Sequence, residues 1–243
     1  MNKQNVRLWI AVGFAFVLLS ALLLTGCSPR ARVGELRSES QSVEQGEAGS
    51  VRVEINFGAG DLEVSGGAEK LLEADFTYNV ERLKPEVAYT DGTLVVRQPE
   101  AEGLPSLQGI TDFRNEWDLR LNNDVPMDLG VDMGAGTSNM HLSGLSLTSL
   151  DVSLGASEST VDLSGDWLRD LQATINAGAA DINVLLPRDV GVRVKVESGP
   201  HTIKASGLTQ DGDVYTNAAY GVSEVTLWIE LKVGVGQINL EVE

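Results

Sequence analysis

The chain holds one cysteine, Cys27, two histidines, His141 and His201, and many carboxylates, among them Asp132, Asp151, Asp162 and Asp181. Each type could carry chemistry. A thiolate is a nucleophile suited to thioether formation. Carboxylates on one face of a β-helix could cut polysaccharide, and histidines at ligand spacing could hold zinc. The spacing favours only the first. One cysteine cannot pair within the chain, which excludes a disulfide framework and a Cys-rich zinc site. His141 alternates outward between Met140 and Leu142, and His201 follows the Gly199-Pro200 turn. Neither has a second histidine at ligand spacing, so the pattern implies no metal. The acids are spread evenly, and Trp117, Trp167 and Trp228 are the only tryptophans after the first 26 residues. An enzyme acting on envelope polysaccharide is therefore the weaker alternative. No Gly-x-Ser-x-Gly elbow, phosphate loop or dinucleotide fingerprint is present. The Gly-Ala-Gly turns precede no helix, so they lack the helix N-terminus that binds phosphate. A calcium nonapeptide is also out of register, since Asp61 follows Gly60 where later turns place Thr137, Glu158 or Asp181. No cofactor is implied.

The setting of Cys27 explains its use. Lys3 and Arg7 precede an uncharged run, Leu8 to Leu24, broken only by Gly13 and Ser20. That is the charged and then apolar order of a secretory leader, and it predicts a signal helix. Leu24-Thr25-Gly26-Cys27 resembles the lipobox of bacterial lipoproteins. The resemblance implies cleavage after Gly26, diacylglycerol (and palmitate-type acylation) on Cys27, and export to the extracytoplasmic side of a bacterial membrane. Two or three acyl chains anchor stably where one is marginal.

The formal net charge is −17, and losing Lys3 and Arg7 with the leader makes the remainder more acidic. Such a surface repels nucleic acid and anionic headgroups. Residues 28–50 are rich in Arg, Glu, Ser and Gln, with Val33, Leu36 and Val43 the only large aliphatics. The segment 27–50 therefore reads as a lipidated tether, with a reach on the order of 25 Å.

The rest is repetitive. Val131-Asp132-Met133-Gly134-Ala135-Gly136 is echoed by Val152 to Ser157, Ile175 to Ala180, Val194 to Gly199 and Leu231 to Gly236. Ile55 to Gly66 opens the series, and Gly134, Gly155, Gly178 and Gly199 lie 21, 23 and 21 residues apart. Pro126-x-Asp128-Leu129-Gly130-Val131 returns as Pro187-x-Asp189-Val190-Gly191-Val192. Alternation turns one face of each strand inward, and glycines permit tight corners. A coil this short cannot bury its inward face alone, so coils must stack. The fold class is all-β: a small single-stranded parallel β-solenoid over 126–243, each strand pairing with its equivalent one turn away. Val152, Leu154, Val161, Leu163, Ile175, Ile182, Val184, Val194, Val196 and Ile203 line it, with Trp167, Leu168 and Leu171 as a packing wedge. Residues 51–125 are strand-rich. Leu72 to Val80 alternate, and 86–98 predicts an antiparallel hairpin at Asp91-Gly92 that caps the stack. Residues 103–112 predict a loop or helical turn. The repeat breaks at 207–223, an insertion whose Asp211, Asp213, Tyr215 and Tyr220 are the candidate interaction surface.

The Gly-Ala-Gly-Asp-Leu-Glu-Val opening (58–64), the strand-rich stretch and the later Gly-Ala-Gly and Gly-Ala-Ser coils resemble the toastrack domains of bacterial cell-envelope proteins, related to LiaF-like stress-response proteins. The resemblance spans roughly 50–243. It implies a non-enzymatic sensing or interaction module at the envelope, often near two-component signalling. Here a lipid anchor stands in place of the multi-helix membrane segment of LiaF-like proteins. Its partner would be another envelope protein, and the third reading is a passive spacer.

Overall fold

The computed structural model describes residues 33–99, 112–199 and 201–243. The 1–26 leader, Cys27 and nearly all of the 103–112 loop lie outside the described residues. Fourteen strands form one open sheet: β1 (Arg37–Val43), β2 (Val51–Gly66), β3 (Leu72–Tyr78), β4 (Glu86–Thr90), β5 (Thr93–Arg97), β6 (Asn115–Leu121), β7 (Met127–His141), β8 (Leu147–Asp162), β9 (Leu171–Leu186), β10 (Gly191–Ser198), β11 (His201–Ser206), β12 (Thr209–Asp211), β13 (Val214–Thr216) and β14 (Thr226–Val242). Among the described residues no helix is long and apolar enough to cross a membrane.

The long strands are each two arms joined at a glycine corner. In β7 the inward residues are Met127, Leu129, Val131 and Met133, then Ser138 and Met140. The alternation shifts from odd to even across Gly134-Ala135-Gly136, so both arms bury one face around the same core. The nine predicted lining residues from Val152 to Val196 are buried, and Ile203 is half-buried.

At the corner the glycines stack directly on one another. A Cβ on Gly134, Gly155, Gly178, Gly234 or Gly199 would lie under 3.0 Å from the carbonyl oxygen of Gly58, Gly134, Gly155, Gly178 or Gly234 respectively. Any side chain there would collide with backbone, which cannot yield as a flexible side chain can.

The parallel strands run β2–β7–β8–β9–β14 in register along both arms. The order then departs from simple succession. β9 does not pair with β10; β14 lies between them, with Leu171 opposite Leu227 and Gly191 opposite Thr226. β11 pairs the second arm of β14. The repeat pattern cannot disclose this, because every coil carries the same inward alternation and fits beside any other.

The sheet ends are built as the hairpin pattern predicts in part. β4 and β5 pair antiparallel, turning at Asp91 (φ 50°) and Gly92 (φ 78°), and β5 covers the first arm of β2. On the second arm β2 is followed by β6, β3 and β1. Phe57, Phe76 and Trp117 meet edge-on there, with ring centroids 4.8 and 5.3 Å apart. The tether predicted for 27–50 must be shortened, since residues 37–43 form β1. Backbone bonding to β3 holds that strand, so a hydrophobic pattern was never required of it. Glu39 anchors it further, accepting from the Tyr78 hydroxyl (2.8 Å) and Lys84 (2.9 Å). Those bonds hold the Glu39 carboxyl below its ordinary range, with Lys84 the larger cause.

Gly155→Ala is expected to cost at least about 1–3 kcal/mol, the scale of an overpacked core. Gly49→Ala, in open space, should be near neutral. Urea unfolding of the two variants checks this.

Candidate functional site

The insertion after the repeats is a second hairpin. β12 and β13 pair antiparallel, and β13 adds to β10 with Tyr215 opposite Val194. This register turns Tyr215 into the core, where it is 4% exposed. As a residue of the candidate surface Tyr215 is therefore corrected: alternation along β13 makes it a packing residue. Asp211 and Asp213 stand exposed at the hairpin tip around Gly212. Glu197 holds the Lys195 amine above its ordinary value, and the Asp213 charge adds to that.

Asn217 pins the chain where it leaves the hairpin. Its side-chain amide donates to the carbonyls of Pro187 (3.0 Å) and Val190 (2.7 Å), and its oxygen accepts from Val192 N–H (3.0 Å). Asn122 does the same for the loop at Ala68–Lys70. Beyond Asn217 the chain turns through Tyr220 N–H to Asn217 and Val222 N–H to Ala219. These turns set Tyr220 edge-on to Trp228, centroids 5.9 Å apart at 84°.

Trp228 is the residue the sequence reading missed. It lies on the outward face of β14, 36% exposed, between Gln172 of β9 and Arg193 of β10. The Arg193 guanidinium lies 5.8 Å from its ring centroid, within cation–π range. Val222 is 83% and Leu168 94% exposed. Leu168 thus leaves the predicted wedge; Trp167 and Leu171 are buried, and Trp167 donates its indole N–H to Leu163. Asp170, two residues on, accepts from Thr226 N–H at 2.8 Å. The result is an aromatic platform flanked by one cation and bordered by segments carrying exposed aliphatics. A legible signal existed: in Leu227-Trp228-Ile229-Glu230-Leu231, alternation puts Trp228 on the polar face.

The other candidate residues are dispersed. Asp132 and Asp151 line a shallow notch of about 240 Å³ with Arg52, Glu54 and Asp128 over Gly130, on the first arm. Asp162 and Asp181 lie on the second arm, where Asp162 stands 3.6 Å from His141 and Asp181 accepts from Gln237 N–H. Among the described residues no cluster of His, Cys, Asp or Glu is arranged to hold a metal ion. Asp61, Glu63, Asp75, Glu116 and Asp118 line a second-arm cleft of about 350 Å³. Asp75 faces Asp118, and Asp118 faces Glu63, across neighbouring strands. Like charges in register are mildly destabilising, and Arg120 and Arg114 relieve part of that.

Residues 32–185 match the family model described as the N-terminal domain of toast_rack, DUF2154. A candidate cell adhesion protein from Clostridium sporogenes has 32% identity to the chain. Its crystal structure superposes with a TM-score of 0.81 and covers 86% of this chain and 100% of that one. A candidate adhesin from Bacteroides fragilis covers 84% and 97% at 10% identity and a TM-score of 0.34. One from Parabacteroides distasonis covers 85% and 97% at 10% identity and 0.29. No curated protein matches the chain.

Two outcomes test this architecture. Asn217→Ala should lose about 1–3 kcal/mol, since it leaves buried carbonyls and an N–H unpaired, read by thermal unfolding. Asp128 accepts from Thr148 and Ser149, which hold its carboxyl below the ordinary value. A depressed folded pKa adds stability above the unfolded pKa and loses it as pH falls through the folded one. The Asp128 contribution is therefore full at neutral pH and fades below roughly pH 4. Asp128→Asn should flatten that acid limb in an unfolding titration.

Proposed function

The chain belongs to the toast-rack family, and on that premise we propose that it is a non-enzymatic interaction domain displayed outside a bacterial cell. The lipobox-like Leu24-Thr25-Gly26-Cys27 supports a lipid anchor on Cys27, with the segment up to β1 as the tether. The parallel in-register coils support reading the body as a short β-solenoid whose N-terminal end carries the antiparallel cap. The name of the Clostridium sporogenes relative supports adhesion or partner binding over catalysis, as does the dispersal of the acids.

The observation that carries the reading is Trp228. Large aromatics on the outward face of a central strand are unusual on an otherwise polar sheet, and exposed aromatic-and-arginine groups are the common anchors of protein interfaces. The platform of Tyr220, Trp228 and Arg193 engages an envelope protein. Asp211 and Asp213, at the hairpin tip, steer a basic partner towards it.

The test places a photo-cross-linking residue at Tyr220 and, as a control, at Asn183 on the second arm, in intact cells. An adduct with one envelope protein from position 220 that disappears with Trp228→Ala supports the platform. Equal adducts from both positions, or none from 220, leaves the chain a passive spacer. In the same cells the protein should incorporate labelled palmitate, and Cys27→Ala should abolish the label; an unlabelled parent protein, or a label that survives Cys27→Ala, would remove the lipid anchor from the proposal.

A further inference from the structure

Among the described strands the sheet has four open edges, and three of them carry features that discourage further pairing. β1 has an inward-pointing charge, Glu39, whose register partner on β3 is the buried Phe76. β4 is five residues long and carries Glu86, paired to Arg97 at 2.6 Å. β12 is only three residues and ends on Asp211. Short strands and inward charges are the usual protection of exposed edges.

β11 has neither. It is six residues long, and β14 is its sole partner among the described strands. Its inward positions, Ile203 and Ala205, face Ile238 and Leu240 across the ladder. Those neighbours are 0% and 1% exposed, whereas Ile203 is half-buried and Ala205 exposed. The inner face of the second arm therefore ends on an uncovered apolar row. The hairpin β12–β13 closes the matching end of the first arm and stops short of this one. Glu243 N–H donates to Leu186 of β9, so the odd-numbered residues on the second arm of β14 bond β9, and Ile238 and Leu240 bond β11. In the parallel register the backbone groups of Thr202, Lys204 and Ser206 then face β14, and those of 201, 203 and 205 face the open side.

We propose that β11 is an acceptor edge: an extended segment of a partner protein, apolar at alternate positions and acidic opposite Lys204, adds to it as a further strand. Strand addition supplies affinity through main-chain bonds and specificity through alternate side chains. The charge distribution selects the occupant. Residues 199–210 contain no acid and one Lys, in a chain of net charge −17. A second copy of so acidic a chain is repelled at long range, and antiparallel pairing centred on Lys204 would set two lysines face to face. An acidic strand meets neither obstacle. This edge lies on the second arm, apart from the Trp228 platform on the first arm, and stands or falls independently of it.

The probe is a fluorescent seven-residue peptide alternating valine with threonine, with glutamate at its central polar position. It is titrated by anisotropy into the full-length protein in detergent. Binding is expected, with loss on N-methylation of the peptide's edge-facing amides and a loss of roughly fivefold when the glutamate becomes lysine. Lys204→Glu should reverse that preference. Ala205→Pro removes an N–H that faces the open side, leaves the bonds to β14 intact, and should abolish binding. No binding up to millimolar peptide, binding indifferent to N-methylation, or an unchanged charge preference in Lys204→Glu would overturn the proposal. A concentration-dependent dimer that Ala205→Pro abolishes would assign the edge to a second copy and overturn it as well.

Discussion

Everything in this fold depends on how closely backbone can approach backbone at one corner of each coil. Gly58, Gly134, Gly155, Gly178, Gly234 and Gly199 form a column in which each glycine after Gly58 occupies the space beneath its neighbour's carbonyl. Without that clearance, adjacent strands would splay at the bend, and the two arms could not keep a common register on either side of it. With it, the inward parity changes at one shared position in every long strand, and one aliphatic core serves both arms. The acids, asparagines and aromatics of the outer face are placed by that parity. The outward rows are thus a by-product of the corner, and the sites described above are positions in those rows.

This is also why so much of the fold was legible. The inward positions of 152–196 were readable from period-two alternation, and the corners from glycine spacing, because one constraint repeats. The hairpin at Asp91-Gly92 was readable from turn chemistry. Two features had no such signature. β1 is held by backbone pairing and by Glu39 bonding, and its side chains look like those of any polar linker. The placement of β14 between β9 and β10 is a choice among equivalent coils, and inward alternation is blind to it.

The candidate site was legible in part. The broken repeat marked 207–223 correctly as an addition to the scaffold, but sequence alone assigned its tyrosines a shared role. Structure separates them: Tyr215 pairs opposite Val194 and packs inward, while Tyr220 leans on Trp228. Trp228 escaped notice because it stands in a strand of large apolar residues, where only its parity marks it as outward. Asn217 was equally hidden, since its importance comes from three backbone partners brought together by the fold.

The position of β14 has a consequence for how the molecule comes into being. Synthesis delivers the chain from its N-terminal side, so β9 and β10 emerge before the strand that must lie between them. In that interval β10 and β11 lack the strand that flanks both of them in the finished sheet. Only when residues 226–242 arrive does the sheet close, and the same segment brings Trp228 with it. A chain arrested before residue 226 would therefore carry neither a finished sheet nor the Tyr220–Trp228 contact. The topology makes the outward Trp228 a mark that the last strand has taken its place between β9 and β10.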